Sequence, residues 1–206
     1  MSDNRMDLSK AALLSMEMQR GVIGDRSTIE PLVEAIARRG TVSALARVMQ
    51  AARKAGATVV HCNAEFRADL KGSGRNSPML RYVTRNPTHI VSGSEGAEVV
   101  PELAPQAEDL VFRRFHGLSP FTGTSLDITL RNLNVDTVVA AGVSVNMGVF
   151  GMCLEAVNLG YRVILPRDCV GGFPDAYVDS VVDNSLSLLA TLTTSDEVVA
   201  AWERTA

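Results

Sequence analysis

Five short apolar runs punctuate the chain, and the stretches between them follow a different rhythm. Residues 11–15 (AALLS), 58–62 (TVVHC), 110–112, 137–141 (TVVAA) and 162–165 (RVIL) are mostly apolar, several of them rich in β-branched side chains. Continuous apolar runs of this length suit strands covered on both faces, the habit of a parallel sheet. Elsewhere apolar residues recur three and four positions apart, as on a helix. Residues 41–55 carry Val42, Leu45, Ala46, Val48, Met49 and Ala52 in that spacing, ending before Gly56, a helix-stopping residue. Residues 125–133, 146–159 and 179–192 read as further helices, the second apolar almost all round. Strand and helix alternate, so the expected class is α/β with crossover helices in one compact domain. The stretch 71–78 (KGSGRNSP) reads as a surface excursion, not a boundary.

Composition narrows the partners. The 206 residues hold 20 Lys plus Arg against 23 Asp plus Glu, and no basic stripe is interleaved with aromatics. A nucleic-acid partner is therefore not expected. No apolar run approaches the roughly 20 residues that span a bilayer, and the opening MSDNRMDLSK lacks the apolar core of a signal peptide. No membrane partner is expected, and the expected location is cytoplasmic. Cys62, Cys153 and Cys169 cannot all pair within one chain and show no CxxC spacing. That points to a reducing compartment and away from structural zinc.

In an open α/β sheet, ligands bind beyond the carboxyl ends of the strands. The residues just after each run are Glu17, 63–67, 113–116, 142–148 and Asp168. Glu17 is a candidate general acid or base, or else an ordinary surface glutamate. The small-residue turn 142–148 (GVSVNMG) can offer free N–H groups to an anion, or be a plain strand–helix turn with Asn146 as N-cap. Arg113 and Arg114 bring fixed cations to the same edge, with His116 beside them. His61, His89 and His116 lack metal-ligand spacing, so no metal is expected. No GxGxxG, GxxxxGK or GxSxG occurs, and no cofactor is expected. None of the cysteines looks like a nucleophile; buried free cysteines usually serve as small core hydrophobes.

Three blocks then coincide in order: LLSMEMQRGVIG, SPFTGTSLDITLRNLNVDTVVAAGVSVNMGV and EAVNLGYRVILPRDCVGG. Together they resemble the isochorismatase-like, or cysteine hydrolase, superfamily, over nearly the whole chain. The resemblance implies a single domain over residues 1–206 with a three-layer α/β/α Rossmann-like sandwich. Its central sheet would be mostly parallel, with about six strands. It also implies a small-molecule substrate and assembly as a homodimer or homotetramer.

The family's usual catalytic set is an aspartate in DMQ, a lysine before SxF, and a cysteine at the helix start after GVxT. Here the aspartate position is Glu17 and the cysteine position is Gly148. Counting forward from Asp109, the lysine position falls on Arg114; counting back from Ser119 and Phe121, it falls on Phe115. Arg114 is preferred because it keeps a cation beside the carboxylate. The resemblance further implies a cis Val143–Ser144 peptide and substrate contacts from His116, Phe121, Ser144 and Asn146. The ends of the first, third and fourth strands are expected side by side, gathering Glu17, Arg114 and the 144–148 turn at one pocket.

Glycine cannot attack a carbonyl, so the family's thioester route to amides is not expected. True isochorismatases of the superfamily share this glycine and hydrolyse a vinyl ether with the carboxylate as proton donor. The expected function is a cysteine-independent hydrolase using Glu17 as general acid or base. Its substrate would be a small carboxylated or cyclic metabolite, through vinyl ether or related C–O or C–N hydrolysis. A lyase or isomerase using the same carboxylate, or a catalytically silent binding protein or subunit, are the alternatives. If Arg114 points at Glu17, base catalysis is favoured; if Phe115 stands there instead, acid catalysis is.

Overall fold

The computed structural model describes residues 6–85 and 90–205; His89 lies outside the described residues. Among the described residues six strands form one sheet: β1 (Ala11–Met16), β2 (Thr58–Ala64), β3 (Leu110–Arg114), β4 (Thr137–Gly142), β5 (Arg162–Pro166) and β6 (Thr191–Thr193). Their order is β3-β2-β1-β4-β5-β6, and every neighbouring pair is parallel. The mostly parallel sheet expected from sequence is thus wholly parallel. β1 and β4, at the centre, are buried along their whole length, which is why their sequences hold almost no polar residue.

The helices are α1 (Arg20–Ile23), α2 (Glu30–Arg39), α3 (Thr41–Lys54), α4 (Pro78–Val83), α5 (Leu126–Asn132), α6 (Phe150–Asn158), α7 (Asp175–Asn184) and α8 (Ser195–Glu203). Alternation along the strands divides the core into two layers. Leu13, Val59, Val139 and Ile164 pack with α2, α3 and α8, where Trp202 is fully buried. Leu14, Val60, Val138, Ala140 and Leu165 pack with α5, α6 and α7 on the other face. The three-layer sandwich follows directly. Among the described residues no helix is long and apolar enough to cross a membrane.

Two expectations are corrected. The helix expected over 179–192 starts earlier, at Asp175 behind Pro174, and ends at Asn184. Its apolar tail goes instead into a short 3₁₀ turn, Leu186–Leu188, and the edge strand β6. The ends of β1 and β3 are not neighbours either, because β2 runs between them. Asp168, at the end of β5, accepts from the Ser195 N–H (2.8 Å) and hydroxyl, tying down the start of α8 and not entering a site.

Candidate active site

β1 ends where the strand order reverses: β2 and β3 lie on one side, β4 to β6 on the other. That reversal opens a crevice at the carboxyl edge. Two backbone features shape it. Gly142 has φ +106°, and a Cβ there would lie 2.2 Å from the Met16 carbonyl oxygen, so only glycine lets β4 pass β1 this closely. Glu17 has φ +51°, an uncommon left-handed conformation for a residue with a side chain. Its N–H still donates to the Cys62 carbonyl at 3.0 Å, prolonging the β1–β2 ladder before the chain turns away.

Two residues further on, Gln19 is fully buried. Its carboxamide oxygen accepts from the Ala64 N–H (2.9 Å), and its nitrogen donates to the carbonyls of Ala64 (2.9 Å) and Ala97 (3.0 Å). This one side chain ties the segment after β1 to the end of β2 and to Ala97.

The crevice contains a cavity of about 330 Å³. Glu17, Arg114, His116, Ser144, Asn146 and Gly148 all line it. The Arg114 guanidinium donates through Nη2 to Glu17 Oε1, so the cation beside the carboxylate is Arg114, and Phe115 lines the cavity too. The arginine reaches across β2 to do so, a span of roughly 9.5 Å between non-adjacent strands. Its side chain is 5% exposed against 18% for Glu17. Arg114 Nε and Nη1 are shut from solvent and meet no acceptor among the described residues.

The 142–148 turn does not start an ordinary helix. The Val143–Ser144 peptide is cis. Val145–Val149 then forms a single π-helical turn leading into α6, with no side-chain cap from Ser144. Asn146 is therefore not an N-cap; it faces the cavity. The Val145 N–H donates to Gly171 (2.8 Å) and those of Met147 and Val149 to Ser144 (3.1 Å each). The N–H groups of Ser144 and Asn146 find no acceptor among the described residues. They are candidate donors to an oxyanion. At Gly148 a Cβ would meet Met16 Cε at 2.8 Å.

Phe121 is a correction. It does not line the cavity but stacks on Tyr161 inside the α5–α6 layer, ring centroids 6.0 Å apart. Glu155 on α6 accepts from the hydroxyls of Ser119 and Thr122, and this anchor turns the intervening loop so that Phe121 points inward. His116 stays exposed at the rim, over Gly123, where any Cβ would strike its ring.

Sequence reasoning missed most of the wall. Val22, Ile29 and Leu32 form one side; Phe66, Leu80 and Ile90 belong to the other. The available signal was apolar residues inside segments read as loops, above all the Ser77-Pro78 start of α4, where the Ser77 hydroxyl caps Leu80 N–H at 3.1 Å. Glu65, also at the wall, is almost fully buried and pairs with Arg113 at 2.9 Å, so Arg113 is engaged away from Glu17.

The cysteines lie outside the cavity lining. Burial pushes the Cys62 and Cys153 thiols up to about 12 and raises Cys169 as well. Among the described residues no group of three or more His, Cys, Asp or Glu is placed to hold a metal ion.

Comparison with known proteins places these features in context. The family model described as "Isochorismatase domain" matches residues 11–197. An uncharacterized isochorismatase family protein of Bacillus subtilis, YwoC, is 29% identical over 85% of this chain and 85% of its own length. A maleamate amidohydrolase of Pseudomonas putida is 32% identical over 64% of this chain and 62% of that protein. The crystal structure of an N-carbamoylsarcosine amidase from Thermoplasma acidophilum superposes with TM-score 0.71 at 28% identity, covering 91% of this chain and 97% of that one.

Proposed function

Because this chain belongs to the isochorismatase family of hydrolases, we propose that it hydrolyses a C–N or C–O bond of a small metabolite without a cysteine nucleophile, Glu17 serving as general base. The Arg114–Glu17 contact carries this reading. It fixes one Glu17 oxygen at the cavity wall, while the second accepts no side-chain hydrogen bond among the described residues.

In this mechanism a water attacks the acyl carbon as Glu17 takes its proton. The carbonyl oxygen gains the electron pair and is met by N–H groups of the 144–148 turn, with Asn146 and His116 beside the substrate. The tetrahedral adduct collapses, the C–N or C–O bond breaks, and the amine or alcohol leaves with the proton returned by Glu17. The buried Arg114 holds the carboxylate in place throughout. At Gly148 the space a nucleophile's Cβ would take is filled by Met16. The amidohydrolase named among the relatives supports C–N hydrolysis as the first bond to try. The same reading has the chain working in the cytoplasm as a homodimer or homotetramer, which sedimentation velocity tests.

The deciding experiment is a turnover screen over small amides, lactones and vinyl ethers, with wild type and Glu17→Gln compared across pH. The variant should lose about 10²–10⁴ in rate, the usual contribution of a positioned acid or base. A variant within about threefold of wild type, or no turnover by wild type at all, refutes the reading, the latter favouring a silent binding protein.

A further inference from the structure

We infer that the ligand of this cavity carries a neutral, apolar body and no carboxylate. The inference deepens the hydrolase reading and rests on it for the fate of the bond, while the binding it describes rests on the walls.

The charges at the wall are already spoken for. Among the described residues that line the cavity, Arg114 carries the one fixed positive charge; its Nη2 is committed to Glu17, and its Nε and Nη1 are closed to solvent. Glu65 brings a second carboxylate whose partner, Arg113, approaches from outside the cavity lining. A substrate carboxylate would enter facing two carboxylates, each already paired, and an arginine whose remaining donors are closed off. Burying an unpaired charge in such a place is costly.

Away from Glu17, Glu65, Arg114, His116 and the 144–148 turn, the wall is mostly hydrocarbon. Val22, Ile29, Phe66, Leu80, Ile90 and Phe115 supply it. At about 330 Å³ the space is near the lower bound of small-molecule sites, about 300–1,000 Å³. It suits one ring or a chain of several carbons. The geometry orders the substrate: the hydrolysable group at Glu17 and the 144–148 turn, the apolar remainder between α4 and the α1–α2 side.

Calorimetric titration of the wild-type protein with butyramide, hexanamide, benzamide and succinamate tests this without requiring turnover. Each added methylene should tighten binding about three- to fourfold. Benzamide should bind better than butyramide, and succinamate at least about tenfold more weakly than butyramide, since a charge buried without a partner is penalised. Absence of binding by all four, a flat response from butyramide to hexanamide, or succinamate binding as well as butyramide would overturn the inference. Val22→Lys, at a half-buried wall position, adds the missing cation and should invert the preference; a folded variant that still rejects succinamate would likewise count against the wall as the cause. Turnover of the same amides separates the two readings. An amide that binds as expected but is never cleaved tells against the hydrolase and leaves this inference standing. Cleavage with chain-blind affinity does the reverse.

Discussion

Met16 and Gly148 compete for one volume: a Cβ on residue 148 would begin 2.8 Å from Met16 Cε and 3.2 Å from its Cγ. Met16 is fully buried on β1, immediately before Glu17. A methionine there and a glycine at the start of the helical segment are therefore matched choices, and the position cannot gain a thiol without moving its neighbour.

This matching sets the first prediction. Gly148→Ala should cost about 1–3 kcal/mol through overpacking, and Met16→Ala about 2–5 kcal/mol through the cavity it leaves. Together they should cost less than the sum, because the new methyl enters the vacated space. Urea denaturation of the four proteins measures the coupling. Strict additivity would mean that the two side chains do not share space.

Gly142 and Gly160 make a controlled pair. Both have positive φ, +106° and +88°, but a Cβ at Gly142 strikes the Met16 backbone whereas one at Gly160 meets nothing within 4 Å. Gly160→Ala should lose about 1–2 kcal/mol from backbone strain alone. Gly142→Ala should lose well over twice that or fail to fold, read as a much larger fall in Tm.

All three thiols are buried with their protonation raised, so native protein treated with iodoacetamide at neutral pH should stay unmodified and keep whatever activity the screen finds. Stoichiometric alkylation with loss of turnover would reinstate a thiol mechanism. Mass spectrometry counts the adducts.

Away from the cavity, His61 and Asp109 share a buried network, His61 Nε2 lying 3.2 Å from Asp109 Oδ2, with Arg53 Nε donating to Asp109 at 3.1 Å. Burial holds His61 below its ordinary value of 6.5, against the pull of Asp109. As pH falls the unfolded chain takes up this proton first, so the contribution is whole above about 6.5 and is lost as pH drops toward the folded value. Burial works against Asp109, but the bonds from Arg53, the Gln106 N–H and His61 outweigh it and hold its carboxyl below 3.8, so its own contribution survives to lower pH. Stability should therefore decline between pH 7 and 5, by at most about 1.4 kcal/mol per unit from this group. His61→Gln should flatten that decline, and a slope unchanged in the variant would assign it elsewhere.

The central strands were legible in the sequence because burial on both faces leaves them no choice but hydrocarbon, as in AALLS and TVVAA. β6 was not: three residues at an edge, preceded by Leu186, Leu188 and Leu189, look like the end of an apolar helix. The placement of Glu17, Arg114 and the 144–148 turn at one cavity followed from the strand-end rule, although Arg114 achieves it by length and not by adjacency. Phe121 was misplaced because it packs on Tyr161 in a loop whose Ser119 and Thr122 bond to Glu155, thirty-odd residues away in sequence, contacts that no local pattern announces. The apolar wall escaped for the same reason; Ile29, Phe66 and Ile90 come together only when the loops fold over the sheet edge.

Gln19 gives the site a property that its strands alone would not. A carboxamide has the donor and acceptor of a peptide unit, and here it stands in for one, so the lattice of the sheet continues a rung beyond its last backbone pair. The Ala64 amide proton should consequently exchange with solvent as slowly as those of the residues before it in β2, although its acceptor is a side chain. Gln19→Glu preserves the outline but sets an acceptor against two carbonyl oxygens, inverting the polarity of the joint without changing its shape. The residues on either side, Glu17 before it and Glu65 after Ala64, would then sit on ground that yields.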